Sequence, residues 1–216
     1  MSGTPRIAAA TQEAYLFVPA DFKVPAELKT ANLLLKPLLE VHVDVDLPAV
    51  LDGMSEDGQS ALQHVFMRND SWPWKGITPE EDALDLRRHE AEFQRRFAFA
   101  YTVLDPRDEG RCLGCCYINP ATRRPRLSDS SRSAAEVFYW IRASAPRSLE
   151  GELGSALRDW LRTWPFAETY FPGRDEDPWD EWEKAPFVSD TIPRIAEDAA
   201  TVIAREPRSS GLLTSE

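Results

Sequence analysis

The sequence predicts an α+β protein, a mixed and mainly antiparallel sheet flanked by helices. Three observations carry this. Phe97–Leu104 (FAFAYTVL) and Cys112–Ile118 (CLGCCYI) are strand-like runs around the turn Asp105–Gly110, which makes a hairpin. Glu136–Ile141 (EVFYWI), the amphipathic run Leu149–Leu161 and the short run Glu168–Phe171 form a strand–helix–strand unit. Such a unit needs parallel pairing through a right-handed crossover. Thr78-Pro79-Glu80-Glu81 opens a helix with a capping Thr, a Pro at the first helical position and a Glu at the third.

The remaining elements follow in chain order. Residues 1–27 read as an extension, polar up to Glu13 and then interrupted by Pro19 and Pro25. Ala31–Leu38 is a short apolar strand closed by Pro37. Leu47, Val50, Leu51 and Met54 recur at helical spacing after the cap candidates Asp44 and Asp46. Ser55–Gly58 ends that helix, and Ala61–Phe66 forms at most a helical turn. The loop 71–76 holds Trp72-Pro73-Trp74. The helix from Thr78 runs to about Arg96, with Leu86, His89, Phe93 and Phe97 on one face and Arg87, Arg88 and Arg95 mostly elsewhere. Asn119–Ser133 is a polar loop with Arg123, Arg124, Arg126 and Arg132. Val137–Ile141 is apolar without alternation, as in a central strand covered on both faces. After residue 175 come an acidic segment with Trp179 and Trp182, a helix through Ile192–Ile203, and a polar end from Pro207. The Trp pair is expected to dock within the chain and cover a sheet edge.

Composition narrows the function classes. At 43% apolar and 28% charged residues the chain is globular, and its 216 residues suit one domain with extensions. The net charge of −11 repels phosphate backbones and disfavours nucleic-acid binding. No apolar stretch approaches a membrane span, and Cys112, Cys115 and Cys116 are too clustered for a disulfide framework. Both points predict a cytoplasmic protein with no membrane partner. Cys112-Leu-Gly-Cys115 has metal-like spacing, but alternation along a strand would send the two thiols to opposite faces, so no metal is expected. His89 could take an amine proton near pH 7 or simply close the core edge. Trp72 and Trp74 could stack on an acceptor or pack as a covering loop.

The element order, with Leu33–Leu38 opening, Tyr139-Trp140-Ile141 in the central strand and Leu149–Leu161 after it, resembles the GNAT (Gcn5-related) N-acyltransferases. The resemblance covers roughly Leu28–Asp175. His89-xxx-Phe93 followed by Phe97-Ala-Phe-Ala-Tyr101 is similar to a bacterial branch of that family. The resemblance implies a domain at 28–175, followed by a tail at 176–216 that is shorter than the family's usual end. It implies acyl transfer from acetyl-CoA, as cosubstrate, to a small-molecule amine or peptide acceptor, and it leaves self-association open.

The resemblance also implies site residues. The thioester carrier would pair with strand backbone at Trp140, Ile141 and Arg142. Its pyrophosphate would rest on Arg147, Ser148, Gly151 and Gly154 at the next helix N-terminus. Glu136 would act as general base, or else be a solvated strand-end carboxylate. Trp72 and Trp74 lie where the family shapes its acceptor pocket. Two departures stand out. The family glycines are displaced, and Glu150 and Glu152 fall where a polyanion would sit. A non-catalytic binding module on the same fold is therefore the alternative reading. It requires the gap beside Ile141 to be closed, by Trp179 or by the helix at Ile192–Ile203.

Overall fold

The computed structural model describes residues 17–62, 65–66, 72–123 and 134–187. The loop arginines Arg124, Arg126 and Arg132 and the helix expected at Ile192–Ile203 lie outside them. Among the described residues six strands form one sheet in sequence order: β1 (Leu28–Lys29), β2 (Leu34–Pro37), β3 (Phe99–Asp105), β4 (Asp108–Pro120), β5 (Ala134–Ile141) and β6 (Glu168–Tyr170). All neighbours run antiparallel except β5 and β6, which run parallel, as the crossover argument requires. Among the described residues four α-helices complete the fold, α1 (Val43–Val50), α2 (Pro79–Arg95), α3 (Ser148–Leu161) and the short α4 (Trp179–Trp182), with a 3-10 turn at Glu40–His42.

Local chemistry explains the clearest boundaries. Thr78 Oγ1 accepts the Glu81 N–H while the Glu81 carboxylate accepts the Thr78 N–H, so α2 begins where its capping box predicts. Its C-terminus is Arg96, in the left-handed region at φ 62°. Helix α1 starts earlier than its apolar spacing indicates and stops at Val50, because the chain turns at Gly53 with φ +80°. Two-residue β1 was not visible in the sequence; it pairs with Leu34 and Leu35. The Trp-rich segment after residue 175 contains α4, whose Trp182 is buried against Tyr170.

The sheet separates two cores. On one face Leu33, Leu35, Tyr101, Val103, Ile118, Val137 and Tyr139 pack against Leu153, Leu157 and Leu161 of α3. On the other, Leu34, Leu104, Cys115, Tyr117 and Trp140 pack against Ala49 and Val50 of α1 and Leu86 of α2. The side-chain period of two places neighbours on opposite faces, but the β3–β4 ladder shifts register twice, and the first shift moves a cysteine. Val103 pairs with Gly114 and Leu104 with Cys112, so Leu113 is an extra residue in β4, a β-bulge. The bulge reverses the alternation. Cys112 therefore shares the α1 face with Cys115, contrary to the expectation that they diverge, and only Cys116 joins the α3-side core. Gly114 of β4 faces β5 closely: a Cβ there would overlap the Trp140 carbonyl oxygen.

Candidate acyl-transfer site

Helix α2 projects Asp85, Arg88 and His89 from one face, at i, i+3 and i+4. Opposite them β4 presents Tyr117 and Asn119, and β5 presents Glu136 and Phe138, each pair two residues apart. With Phe66 and Trp72 these residues line a cleft of about 330 Å³. Three residues singled out in the sequence, Glu136, His89 and Trp72, thus meet in one cavity. Trp74 is not among the lining residues and is 44% exposed. Arg88, expected away from this face, lies in the cleft because its guanidinium is drawn to Asp85 at 2.6 Å and Glu92 at 3.1 Å.

Glu136 is the third residue of β5 rather than the first and is only 6% exposed. Burial pushes its carboxyl up to about 7, although the Thr122 N–H (2.9 Å) and hydroxyl (2.7 Å) both donate to Oε2. His89 lies between two carboxylates of its own helix, Nε2 at 3.5 Å from Asp85 and Nδ1 at 3.5 Å from Glu92. Burial and the Arg88 charge push the imidazole down, but Asp85 and Glu92 outweigh them and its pKa is raised. Asp85, despite burial, is held below the usual carboxylate range by His89 and Arg88. The cleft therefore combines a carboxyl poised near neutrality with the Arg88 guanidinium, a titratable His89 and an aromatic wall, Phe66 lying 5.2 Å from Trp72 and 5.8 Å from Tyr117.

The second half of the site is the outer edge of β5. Strand β6 pairs with Ala134, Ala135 and Glu136, so among the described residues Val137–Ile141 has no strand partner on that side. The Arg142 N–H bonds to Leu113 O of β4 at 2.8 Å. Antiparallel alternation then turns the backbone groups of Trp140 and Arg142 toward β4 and those of Tyr139 and Ile141 toward the open edge. The Trp140 side chain is 1% exposed in the α1-side core. The Arg142 side chain is committed to Asp52 (2.9 Å) and to Cys112 O (3.2 Å).

A segment following β6 covers this edge. Arg174 donates to Tyr139 O at 2.6 Å, stacks over the Tyr139 ring at 3.9 Å and pairs with Glu150 at 2.8 Å. Trp179 stacks on Phe138 with ring centroids 6.3 Å apart, and Phe171 meets the Tyr139 ring edge-on. The loop is closed by the Phe171 N–H on Asp177 Oδ2 at 2.7 Å and the Gly173 N–H on Asp177 O at 2.8 Å. At the N-terminus of α3, Arg147, Ser148 and Gly151 are exposed, and a Cβ on Gly151 would meet nothing within 4 Å. Gly154 is buried, where a Cβ would collide with the Tyr139 hydroxyl. Glu150 is held by Arg174. Glu152 accepts from the Thr30 hydroxyl (2.7 Å) and from Asn32 (3.0 Å). Both glutamates are therefore engaged in protein contacts at this helix end.

Sequence reading missed Asp85, Tyr117, Asn119 and Arg174. The spacing of four between Asp85 and His89 was an available signal. Arg174 gives none, because its contacts are made across the fold.

No protein-family model matches the sequence, and no curated protein matches it. Solved structures of GNAT-type acetyltransferases are similar to this chain. RimL, a ribosomal L7/L12 alpha-N-protein acetyltransferase, is 18% identical, with a TM-score of 0.46 over 67% of this chain and 69% of that one. RimL in complex with coenzyme A gives 19%, a TM-score of 0.45, and 64% and 66% coverage. A Bordetella pertussis acetyltransferase assigned to the GnaT family gives 18%, 0.42, and 64% and 73%. The chain spans about two thirds of the length of the RimL structures. The α+β class with a mixed sheet is seen directly in this chain.

Proposed function

We propose that this chain is an acyl-CoA-dependent N-acyltransferase acting on an amine. The observation that carries the reading is the junction at Glu136. At that residue β5 parts from β6, leaving backbone groups of Tyr139 and Ile141 without a strand partner among the described residues, and the same residue faces the cleft with His89 and Trp72. An extended thioester carrier would pair with the open edge as an added strand does, and the Ile141 N–H would polarise its carbonyl. The acceptor ammonium would enter the cleft against Asp85 and the aromatic wall. Glu136, ionised above pH 7, would take its proton directly or through one water, freeing the lone pair for attack. A peptide α-amine, of the kind the RimL description names, and a small amine are both acceptors this cleft suits by chemistry. Cytoplasmic residence fits the three free thiols.

A second reading has its own support. Arg174 caps the carbonyl of Tyr139 and Trp179 covers Phe138, so the segment 171–179 stands where the carrier would lie. In a non-catalytic binding module that closure would be permanent. Calorimetric titration with acetyl-CoA, on the wild type and on Arg174→Ala, separates the two. Saturable heat from either protein supports the enzyme. Silence from both at about 1 mM ligand, where only affinities weaker than about 4 kcal/mol escape detection, leaves the binding module.

A further inference from the structure

The β4 bulge brings together groups that the acyl-transfer reading does not use. Asp46 of α1 is 2% exposed, and Cys112 and Cys115 of β4 are buried beside it. Their three donor atoms lie within 4.8 Å of one another. Cys115 Sγ is 3.1 Å from Asp46 Oδ1 and Cys112 Sγ is 3.9 Å from it. We propose that Asp46, Cys112 and Cys115 form a binding site for a thiophilic divalent cation, Zn²⁺ by preference, tying α1 to the sheet.

Three arguments support the site. The first is geometric. Zinc holds sulfur at about 2.3 Å and carboxylate oxygen at about 2.0 Å in a tetrahedron, which spaces its ligand atoms about 3.5–3.8 Å apart. The two observed sulfur–oxygen separations straddle that value. The second is solvation. Thiols are weak donors, and the buried Asp46 carboxyl accepts from Cys115 at 3.1 Å, while Cys112, at 3.9 Å, has a nearer acceptor in the Gly114 carbonyl at 3.4 Å. A cation would satisfy the carboxyl better. The third is the neighbour Asp82 on α2. It is 2% exposed, with Oδ2 lacking any hydrogen-bond partner among the described residues, and it is electrostatically linked to Asp46. Its oxygens are not part of the three-atom cluster, so it would act on the cation through its charge, and a water would take the fourth position. Binding sends both thiol protons, and any proton on Asp46, to solvent and leaves two thiolates and a carboxylate on the metal. Enclosure by the core makes the role structural, apart from the cleft chemistry.

The test uses the whole chain, purified under reductant without a metal-affinity step, loaded with Zn²⁺ and desalted. Elemental analysis should find about one zinc per chain. Cys115→Ser and Asp46→Asn should each lower retention at least fivefold, while Cys116→Ser, on the opposite face, should not. Co²⁺ in place of zinc should give thiolate-to-cobalt charge-transfer absorption and tetrahedral visible bands in the wild type, a readout that needs no variant. A wild type that retains no zinc overturns the proposal. So does equal retention in Cys115→Ser, or bound Co²⁺ without thiolate absorption.

Discussion

The guanidinium of Arg174 lies over the ring of Tyr139 and donates to the carbonyl of that same residue, on the side of β5 that β6 abandons. One side chain thus satisfies a backbone acceptor that would otherwise face the gap. A charge-assisted hydrogen bond of this kind is worth about 1.5–3 kcal/mol. A carrier that pairs with Tyr139 must displace it. Arg174→Ala should therefore tighten acetyl-CoA binding by about tenfold, corresponding to about 1.4 kcal/mol, as read by calorimetry. Unchanged affinity would mean that the carrier does not use this edge.

Glu136→Gln keeps the shape of the cleft and the Thr122 contacts while removing the base. Acyl transfer should fall by about 10²–10⁴. The wild-type profile of kcat/KM should rise with pH through about 7, and the variant should lose that limb. Stability moves the other way. A carboxyl raised from its ordinary value near 4.5 to about 7 holds its proton longer in the folded chain, so stability is greatest below pH 4.5 and falls as pH climbs toward 7. Glu136→Gln should accordingly melt higher than the wild type at pH 8.

His89 has a raised pKa because Asp85 and Glu92 outweigh burial and Arg88. Its protonated form stabilises the fold below the unfolded value of 6.5, and that contribution is lost as pH rises through the folded value. His89→Asn should cost more at pH 6 than at pH 9. Thermal melts across that range check it, and an equal cost at both ends would mean that folding does not raise the imidazole pKa.

Two glycines should respond in opposite ways. Gly114→Ala places a methyl on the Trp140 carbonyl, where only backbone movement relieves the clash, and should cost about 3 kcal/mol or more in urea unfolding. Gly151→Ala adds a methyl to open space inside α3 and should gain about 0.5–1 kcal/mol. Gly151→Trp probes function: unchanged acetyl-CoA affinity would argue that the pyrophosphate does not rest on this turn.

What the sequence revealed depends on how local each signal is. Thr78 and Glu81 announce α2 because a capping box is complete within four residues. The aromatic and branched runs of β3, β4 and β5 are legible for the same reason, and parallel β6 follows from the helix between it and β5. Glu136, His89 and Trp72 were each visible as chemistry, but nothing local says that they share a cavity. The bulge at Leu113 was hidden, because strict alternation across CLGCC sends Cys112 and Cys115 apart, and only the pairing with β3 shows the extra residue. Arg142 reads as a gap residue from its position, yet its side chain reaches Asp52, ninety positions away in the chain.

The strands that border the sheet are only two and three residues long, too short to recruit a further strand. The long exposed template for such recruitment would be Val137–Ile141, an apolar run rich in aromatics. The stacked Arg174 and the Trp179 ring shield it within the same chain. A lesion that loosens this shield should therefore show itself first as self-association of folded molecules through that run, before any loss of the core.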